Sequence, residues 1–160
     1  MTGPRRAPMT PKGHAILTSS LKHIKEVERP ANVRAIEEAI AHGDLSENAE
    51  YHSAKEKQGL IQANMLNLED QLSRAEVIDP ASLDLERVAF GATVTLQELD
   101  SDREVCYQIV GSIEADASNG LISYDSPLAR ALLGKEEGDE FKFKAPGGER
   151  AYEVLEVEYK

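Results

Sequence analysis

The strongest constraint on the fold of this chain is a repeat of mostly apolar side chains over residues 46–76. These side chains recur at alternating steps of three and four, which is the spacing of the a and d positions of a coiled coil. The repeat predicts one long helix that buries a single stripe against a partner helix. The stripe consists of Tyr51, Ala54, Gln58, Ile61, Met65, Leu68, Leu72 and Ala75.

A second helical stripe precedes the first, and its phase slips near Pro30. Because proline lacks an N–H and crowds the preceding turn, we expect a kink or a restart of the helix there. The sequence His42-Gly43-Asp44 indicates a helix stop followed by a turn. Helices joined by so short a connection run antiparallel, so we predict a helical hairpin. The second stripe consists of Leu17, Leu21, Ile24, Val33, Ile36 and Ile40.

From Val88 onward the apolar period changes to two, which is typical of β-strands. Ser126 before Pro127 predicts the start of a short helix that Gly134 ends, and Val154 next to Leu155 indicates a β-bulge. We therefore predict an α+β fold, with a long antiparallel coiled-coil hairpin followed by a small antiparallel β-sheet domain that carries one short helix. The predicted divisions are a flexible extension over residues 1–8, the hairpin over 9–79, a linker over 80–87 and the sheet domain over 88–160.

The charge of the chain limits its partners. Eighteen Lys and Arg residues stand against 29 Asp and Glu residues, which gives a net charge of −11. Residues 1–79 carry 10 basic and 12 acidic side chains, whereas residues 80–160 carry 8 and 17. A general duplex-binding protein needs a basic face to displace counterions, so this class is disfavoured. Any contact with nucleic acid must be local or provided by a partner.

Cysteine usage and hydropathy indicate a cytoplasmic protein. Cys106 is the only cysteine, so an intrachain disulfide or a thiolate zinc site is not possible, and a reducing compartment is expected. We expect Cys106 to be a small buried apolar residue. No stretch approaches the ~20 apolar residues of a membrane span, so no membrane partner is expected.

The predicted turn of the hairpin carries two acids, Asp44 and Glu47. In one interpretation Asp44 is the N-cap of the second helix and Glu47 completes a capping box. In the other, the two carboxylates project from an exposed tip and share a hard cation such as Mg²⁺, which binds through one or two carboxylates and retains most of its waters. Two side chains cannot form a complete site, so a second component would supply the remaining ligands.

Three basic residues lie near the tip: Arg34, Lys55 and Lys57. They are either an ordinary solvated face or a strip that contacts a single-stranded phosphate backbone.

Three segments resemble the bacterial transcript cleavage factors of the GreA/GreB family. Residues 43–52, which read Gly-Asp-Leu-Ser-Glu-Asn-Ala-Glu-Tyr-His, are similar to the first signature of that family, and residues 126–135 are similar to the second. Residues 9–13 resemble the usual start of its members. The resemblance covers residues 9–160, and the even charge of the first half favours the GreA branch.

The resemblance implies a transcription elongation factor whose hairpin enters the secondary channel of a backtracked RNA polymerase. Asp44 and Glu47 match the two acidic tip residues of the family, which help to hold the second Mg²⁺ of the polymerase active site and orient the attacking water. They would bind this ion only in complex with the polymerase, which contributes its own aspartates and the first Mg²⁺. The chain would be an accessory factor rather than an enzyme, and would stimulate cleavage of the transcript.

The resemblance also implies contacts outside the tip. Lys55 occupies a position where the family often carries a basic residue, against the RNA 3′ end. The second domain would be FKBP-like and would grip the channel rim. Its contacts with the rim coiled coil of the polymerase would come from Ser126, Pro127, Leu128 and Arg130.

Three alternative functions stay open. A channel-binding inhibitor with the same fold is disfavoured because both Asp44 and Glu47 are present. An FKBP-like prolyl isomerase or chaperone needs an aromatic-lined pocket, and the second half has few aromatic residues. A structural coiled-coil adaptor is also compatible, because a polar seam residue such as Gln58 specifies helix register in many proteins.

Overall fold

The structure, a computed structural model, describes residues 6–44 and 48–160. The described chain forms two compact units, one of residues 14–75 and one of residues 6–13 and 76–160. The first unit is helical and the second contains a five-stranded sheet, so the predicted α+β class is confirmed. Within the described ranges, no helix has both the length and the apolar character that crossing a membrane requires.

The helical unit is the predicted hairpin. Its first arm consists of α1 (Pro11–His23), a π-helical segment (Ile24–Glu28) and α2 (Arg29–Ala41), and its second arm is α3 (Ala49–Ser73). The 25 residues of α3 extend over about 37 Å at ~1.5 Å per residue. The Lys25 ammonium lies 3.1 Å from the Glu69 carboxylate, and Asn32 bonds to the carbonyl of Ala54. Because these partners follow in opposite order along the two arms, the arms are antiparallel.

The phase slip predicted near Pro30 takes the form of the π-helical segment. The N–H of Arg29 donates to the carbonyl of Ile24, five residues earlier. A π-helical segment adds one residue to the turn, so it rotates every later side chain about the helix axis. The wider turn directly precedes Pro30, whose ring would crowd the carbonyl of an ordinary α-turn. The first arm therefore continues through the proline.

This rotation changes which residues of α2 face α3. The prediction that Val33 and Ile40 are buried was wrong, because they are 44% and 50% exposed. Asn32 and Ala39 are buried instead, at 4% and 1% exposure. Before α2 the prediction was correct, since Leu17 of α1 and Ile24, the first residue of the π-helical segment, are both buried.

The stripe of α3 is confirmed at its centre. Ala54, Ile61 and Met65 are buried, and the last two form an apolar cluster with Ile24 of the first arm. Two predicted members differ. Gln58 is exposed, and Ala75 lies beyond the helix, in the short strand β2 (Ala75–Val77).

The second unit contains a five-stranded sheet with the order β5-β4-β3-β7-β6. The antiparallel pairing that we predicted holds for β3 with β4, β3 with β7, and β6 with β7, but β4 and β5 are parallel. Residues 111–120 include two tight turns, after which β5 lies beside the last three residues of β4, from Gln108 to Val110. An alternating apolar pattern does not specify strand direction, so it could not reveal this pair. The strands are β3 (Thr93–Glu98), β4 (Glu104–Val110), β5 (Leu121–Ser123), β6 (Glu140–Ala145) and β7 (Gly148–Glu158).

One face of this sheet forms the core of the second unit. The predicted β-bulge is confirmed, because Leu155 is skipped where Thr95 pairs with Glu156 and Leu96 pairs with Val154. The short helix α4 (Pro127–Leu132) buries Ala129 and Leu132. The buried residues of this core are Val88, Ala92, Val94, Leu96, Ile109, Ile122, Ala129, Leu132, Phe141 and Val154. Cys106 is exposed on β4, so the expectation that it is buried was wrong.

The start of the described chain is tied to the second unit. Strand β1 (Ala7–Met9) pairs with β2, so the predicted flexible extension is ordered at residues 7–8. The carboxylate of Glu114 accepts hydrogen bonds from the backbone and the hydroxyl of Thr10 and from the N–H of Gly111. Residues 9–13 were predicted to belong to the hairpin, but they group with the sheet. Alternation and charge could not reveal a contact between residues 104 positions apart in the chain.

Candidate functional site

The candidate site is the turn between α2 and α3. Helix α2 ends at Ala41, and Gly43 has a φ of +111°, a conformation that a side chain would disfavour. Asp44 follows this glycine and is exposed. Glu47, the second predicted acid, lies outside the described residues. The pairing of Asp44 with Glu47 therefore stays a prediction.

Asn48 is the N-cap of α3, so the interpretation of Asp44 as that N-cap was wrong. The side-chain oxygen of Asn48 accepts a hydrogen bond at 3.0 Å from the N–H of Tyr51, which is the third residue of the helix. Asparagine is among the residues preferred at this position. That preference, three residues before the first apolar position of the stripe, was the signal that could have identified Asn48 from the sequence. Asp44 lies four residues before this N-cap.

Two further contacts join the ends of α2 and α3. The amide nitrogen of Asn48 donates to the carbonyl of Ala39 at 2.6 Å. His42 Nδ1 lies 3.7 Å from Glu50 Oε2, and both side chains are largely exposed. The side chain of Asn48 therefore bonds to both helices at once.

The three basic residues near the tip do not form one strip. Arg34, Lys55 and Lys57 are all exposed, but Lys55 and Lys57 are two residues apart on α3 and point to different sides of it. Lys55 donates to Gln58 at 2.8 Å. Lys57 lines a groove of about 730 Å³ between α2 and α3, together with Glu38.

Whether the tip holds a cation with a partner stays a prediction. Within residues 6–44 and 48–160, no three His, Cys, Asp or Glu side chains are grouped closely enough to hold a metal ion. One exposed carboxylate from Asp44, with Glu47 three residues later, fits the one or two carboxylates through which Mg²⁺ is commonly held. The remaining ligands would come from water and from a partner.

The second predicted site lies at α4. The Ser126 hydroxyl accepts from the N–H of Ala129 at 3.3 Å, so Ser126 is the N-cap of this helix. Leu128 is half-buried against the core of the sheet unit. Pro127 and Arg130 are exposed. Ser126 and Leu128 thus have structural roles, whereas Pro127 and Arg130 can contact a partner.

Comparison with known families matches both halves of the chain. Residues 7–77 match the family "Transcription elongation factor, N-terminal", and residues 83–159 match "Transcription elongation factor, GreA/GreB, C-term". The chain is 57% identical over 155 residues to a transcription elongation factor GreA of Hyphomonas neptunium, covering 97% of this chain and 99% of that one. It is 56% identical over 154 residues to GreA of Cereibacter sphaeroides, covering 96% and 98%.

Two solved structures are also similar to this chain. The GreA factor homolog 1 (Gfh1) of Thermus thermophilus has 27% identity and a TM-score of 0.45, with 96% of this chain and 99% of that chain covered. The elongation factor GreA/GreB from Nitrosomonas europaea has 26% identity and a TM-score of 0.43, with 96% and 100% covered.

Proposed function

We propose that this chain, which belongs to the GreA/GreB family of transcription elongation factors, stimulates RNA polymerase to cleave the 3′ end of backtracked transcripts. In this proposal the chain is an accessory factor and the polymerase is the enzyme. One observation carries the proposal: the family's acidic signature, residues 43–51, begins just after α2 and ends in the first turn of α3, with Asp44 exposed.

The hairpin would act by reaching the polymerase active site through the secondary channel. Helix α3 alone extends over about 37 Å at ~1.5 Å per residue. The two arms are joined by the buried cluster of Ile24, Ile61 and Met65, so the hairpin can carry its turn as one packed element. Arrested complexes would resume elongation once the cleaved transcript again ends in the active site.

Asp44 and Glu47 would hold the second Mg²⁺ of the polymerase active site. The bound ion would activate water and stabilise charge on the scissile phosphate. The tip carboxylates would also orient the attacking water as hydrogen-bond acceptors. The metal would be shared because two carboxylates do not complete the coordination of Mg²⁺, which retains most of its waters.

The remaining predicted residues would bind the partners. Arg34, Lys55 and Lys57 are exposed cations on the arms next to the tip and would contact the RNA 3′ end. Because Lys55 and Lys57 point to different sides of α3, we expect only one of them to contact a given RNA strand. Pro127 and Arg130 would contact the rim coiled coil of the polymerase, with Ser126 and Leu128 fixing the helix that presents them.

The proposal is tested with purified, backtracked polymerase complexes in Mg²⁺. We expect the wild-type chain to accelerate release of short 3′ RNA fragments, and Asp44→Asn or Glu47→Gln to reduce that acceleration about 10- to 100-fold. This range corresponds to the loss of one hydrogen bond to a charged group, at ~1.5–3 kcal/mol. Glu56→Gln removes the same charge from an exposed position on α3 and should leave the rate unchanged.

Equal loss in all three variants would indicate a general charge effect and contradict the assignment of the tip. A wild-type chain that slows elongation and releases no fragment would instead support the channel-binding inhibitor.

A further inference from the structure

We propose that Asn48 is the positioning residue of the tip, because its side-chain amide ties the end of α2 to the start of α3 on either side of the acidic pair. This inference rests on the proposed function. It concerns a residue that is not one of the acidic ligands. It follows from the two hydrogen bonds that the Asn48 side chain makes in opposite directions.

The two bonds use the two different ends of the amide. The oxygen accepts from the N–H of Tyr51 at 3.0 Å, and the nitrogen donates to the carbonyl of Ala39 at 2.6 Å. The N–H of Tyr51 lies in the first turn of α3, where a backbone donor has no intrahelical partner. The carbonyl of Ala39 lies at the end of α2 and also accepts from the N–H of His42 at 3.2 Å. The tip is therefore anchored to backbone on both arms by one side chain.

Capping alone does not explain why this residue is asparagine. Serine and aspartate cap helices about as well as asparagine, but neither can accept from one backbone group and donate across the turn to another at this reach. Aspartate offers only acceptors when ionised, and the hydroxyl of serine is one bond shorter. The bond to Ala39 needs an amide of this length.

The arms are packed closely enough at this end for a short side chain to join them. Ala39 of α2 is 1% exposed and Ala54 of α3 is 8% exposed, so each arm buries a small residue. Further along, buried Asn32 donates to the carbonyl of Ala54 at 3.0 Å. Among the described residues, two side-chain amides thus donate to backbone carbonyls of the other arm, Asn48 near the tip and Asn32 further from it.

The positions that Asn48 ties together flank the acids in the sequence. Asp44 lies five residues after Ala39, and Glu47 directly precedes Asn48. Carboxylates that share a metal ion with a partner must be held close to the productive geometry, because a misplacement of ~1 Å can cost about 100-fold in rate. We expect loss of the bond to Ala39 to lower the cleavage rate without removing any ligand.

The test separates the effect of the bond to Ala39 from the effect of capping α3. Asn48→Ser keeps the cap of α3 and removes the bond to Ala39. Asn48→Asp also keeps the cap but places a carboxylate oxygen against that carbonyl. For both variants we expect the maximal rate of fragment release, at saturating factor, to fall about tenfold or more. The factor concentration that gives the half-maximal rate should not change.

Asn32→Ala is the matched control. It removes the other cross-helix amide bond of the hairpin, so it should lower the melting temperature while leaving the maximal rate unchanged. An equal loss of maximal rate in Asn32→Ala and Asn48→Ser would mean that Asn48 acts only through general stability, and would overturn the proposal.

A second measurement does not depend on cleavage. In Asn48→Ser, hydrogen exchange of the backbone amides of His42 and Gly43 should accelerate about tenfold, while the Tyr51 amide, still capped, keeps its protection. Unchanged exchange at His42 and Gly43 would overturn the proposal, whatever the cleavage result. A wild-type chain that releases no fragment would contradict the proposed function, and the exchange result would still decide whether Asn48 orders the end of α2.

Discussion

Tyr159 links the end of the chain to the start of the sheet unit through one hydroxyl group. This hydroxyl donates to the carbonyl of Arg87 at 2.6 Å and accepts from the N–H of Ala89 at 3.0 Å. Burial raises the pKa of the Tyr159 phenol above its ordinary value, although the bond from Ala89 opposes this shift. One side chain therefore joins the last strand region to the backbone at residues 87–89, where the predicted linker ends.

We predict that Tyr159→Phe lowers the free energy of unfolding by about 1–3 kcal/mol, because the N–H of Ala89 loses its partner. Chemical denaturation at neutral pH measures this loss.

The raised pKa of Tyr159 also predicts that the stability of the sheet unit depends on pH. The unfolded chain releases the phenol proton first, so this contribution is complete below pH ~10 and is lost as the pH rises through the folded pKa. Tyr159→Phe should weaken the decline in stability above pH ~10, and an identical decline in both chains would contradict this assignment.

At the level of single residues, the sequence predicted some roles and missed others for identifiable reasons. Ser126 was predicted as a cap because serine before proline is a local signal, and the structure agrees. Asn48 was missed because Asp44 and Glu47 also have the spacing of a capping box. The partnership of Thr10 with Glu114 was missed because it joins residues far apart in the chain.

The hairpin arms illustrate how one local irregularity changes an element. The π-helical segment rotates α2, so Asn32 and Ala39 face α3 where Val33 and Ile40 were expected. The sequence indicated a phase slip at Pro30 but not its size, because a kink, a restart and a π-helical segment all follow from the same missing N–H. A hydrophobic pattern cannot reveal that alanine and a hydrogen-bonded asparagine form the seam.

The packing of α2 against α3 predicts stability effects that differ from those expected from the hydrophobic pattern alone. Ile24→Ala should lower the free energy of unfolding of the hairpin by about 2–4 kcal/mol, because it leaves a cavity beside Ile61 and Met65. Ile40→Ala should cost less than ~1 kcal/mol, because Ile40 is half-exposed. Thermal or chemical denaturation compares the two variants directly. Equal losses would mean that α2 packs in the register expected from the sequence.

Across the chain, the proposed tasks are divided between the helical unit and the sheet unit. The acids of the tip belong to the first unit, and the exposed side chains of α4 belong to the second. Most of the excess negative charge lies in residues 80–160, so binding of the sheet unit to nucleic acid is disfavoured. This division agrees with a chain that binds the polymerase with one unit and reaches into it with the other.

The division predicts that variants on α4 of the sheet unit change the affinity for the polymerase and leave the maximal rate of transcript cleavage unchanged. Arg130→Glu should raise the factor concentration for half-maximal cleavage about tenfold, which corresponds to ~1.4 kcal/mol of binding free energy, and should leave the maximal rate unchanged. A titration of factor against a fixed amount of backtracked polymerase measures both quantities. Arg103→Glu, which changes an exposed arginine next to β4 in the same unit, is the control and should match the wild type. A fall in maximal rate without a change in affinity would place Arg130 in a different role.

In the proposed function, the tip provides part of the ligand set of a metal ion that the polymerase completes. The Mg²⁺ dependence of transcript cleavage by purified backtracked complexes tests it most directly. We expect the wild-type chain to lower the Mg²⁺ concentration for half-maximal cleavage about tenfold or more relative to polymerase alone, since an added carboxylate ligand contributes at least ~1.4 kcal/mol. Asp44→Asn and Glu47→Gln should each return it towards the value without the factor. The same half-maximal Mg²⁺ concentration with the wild-type chain, with either variant and with no factor would contradict the account.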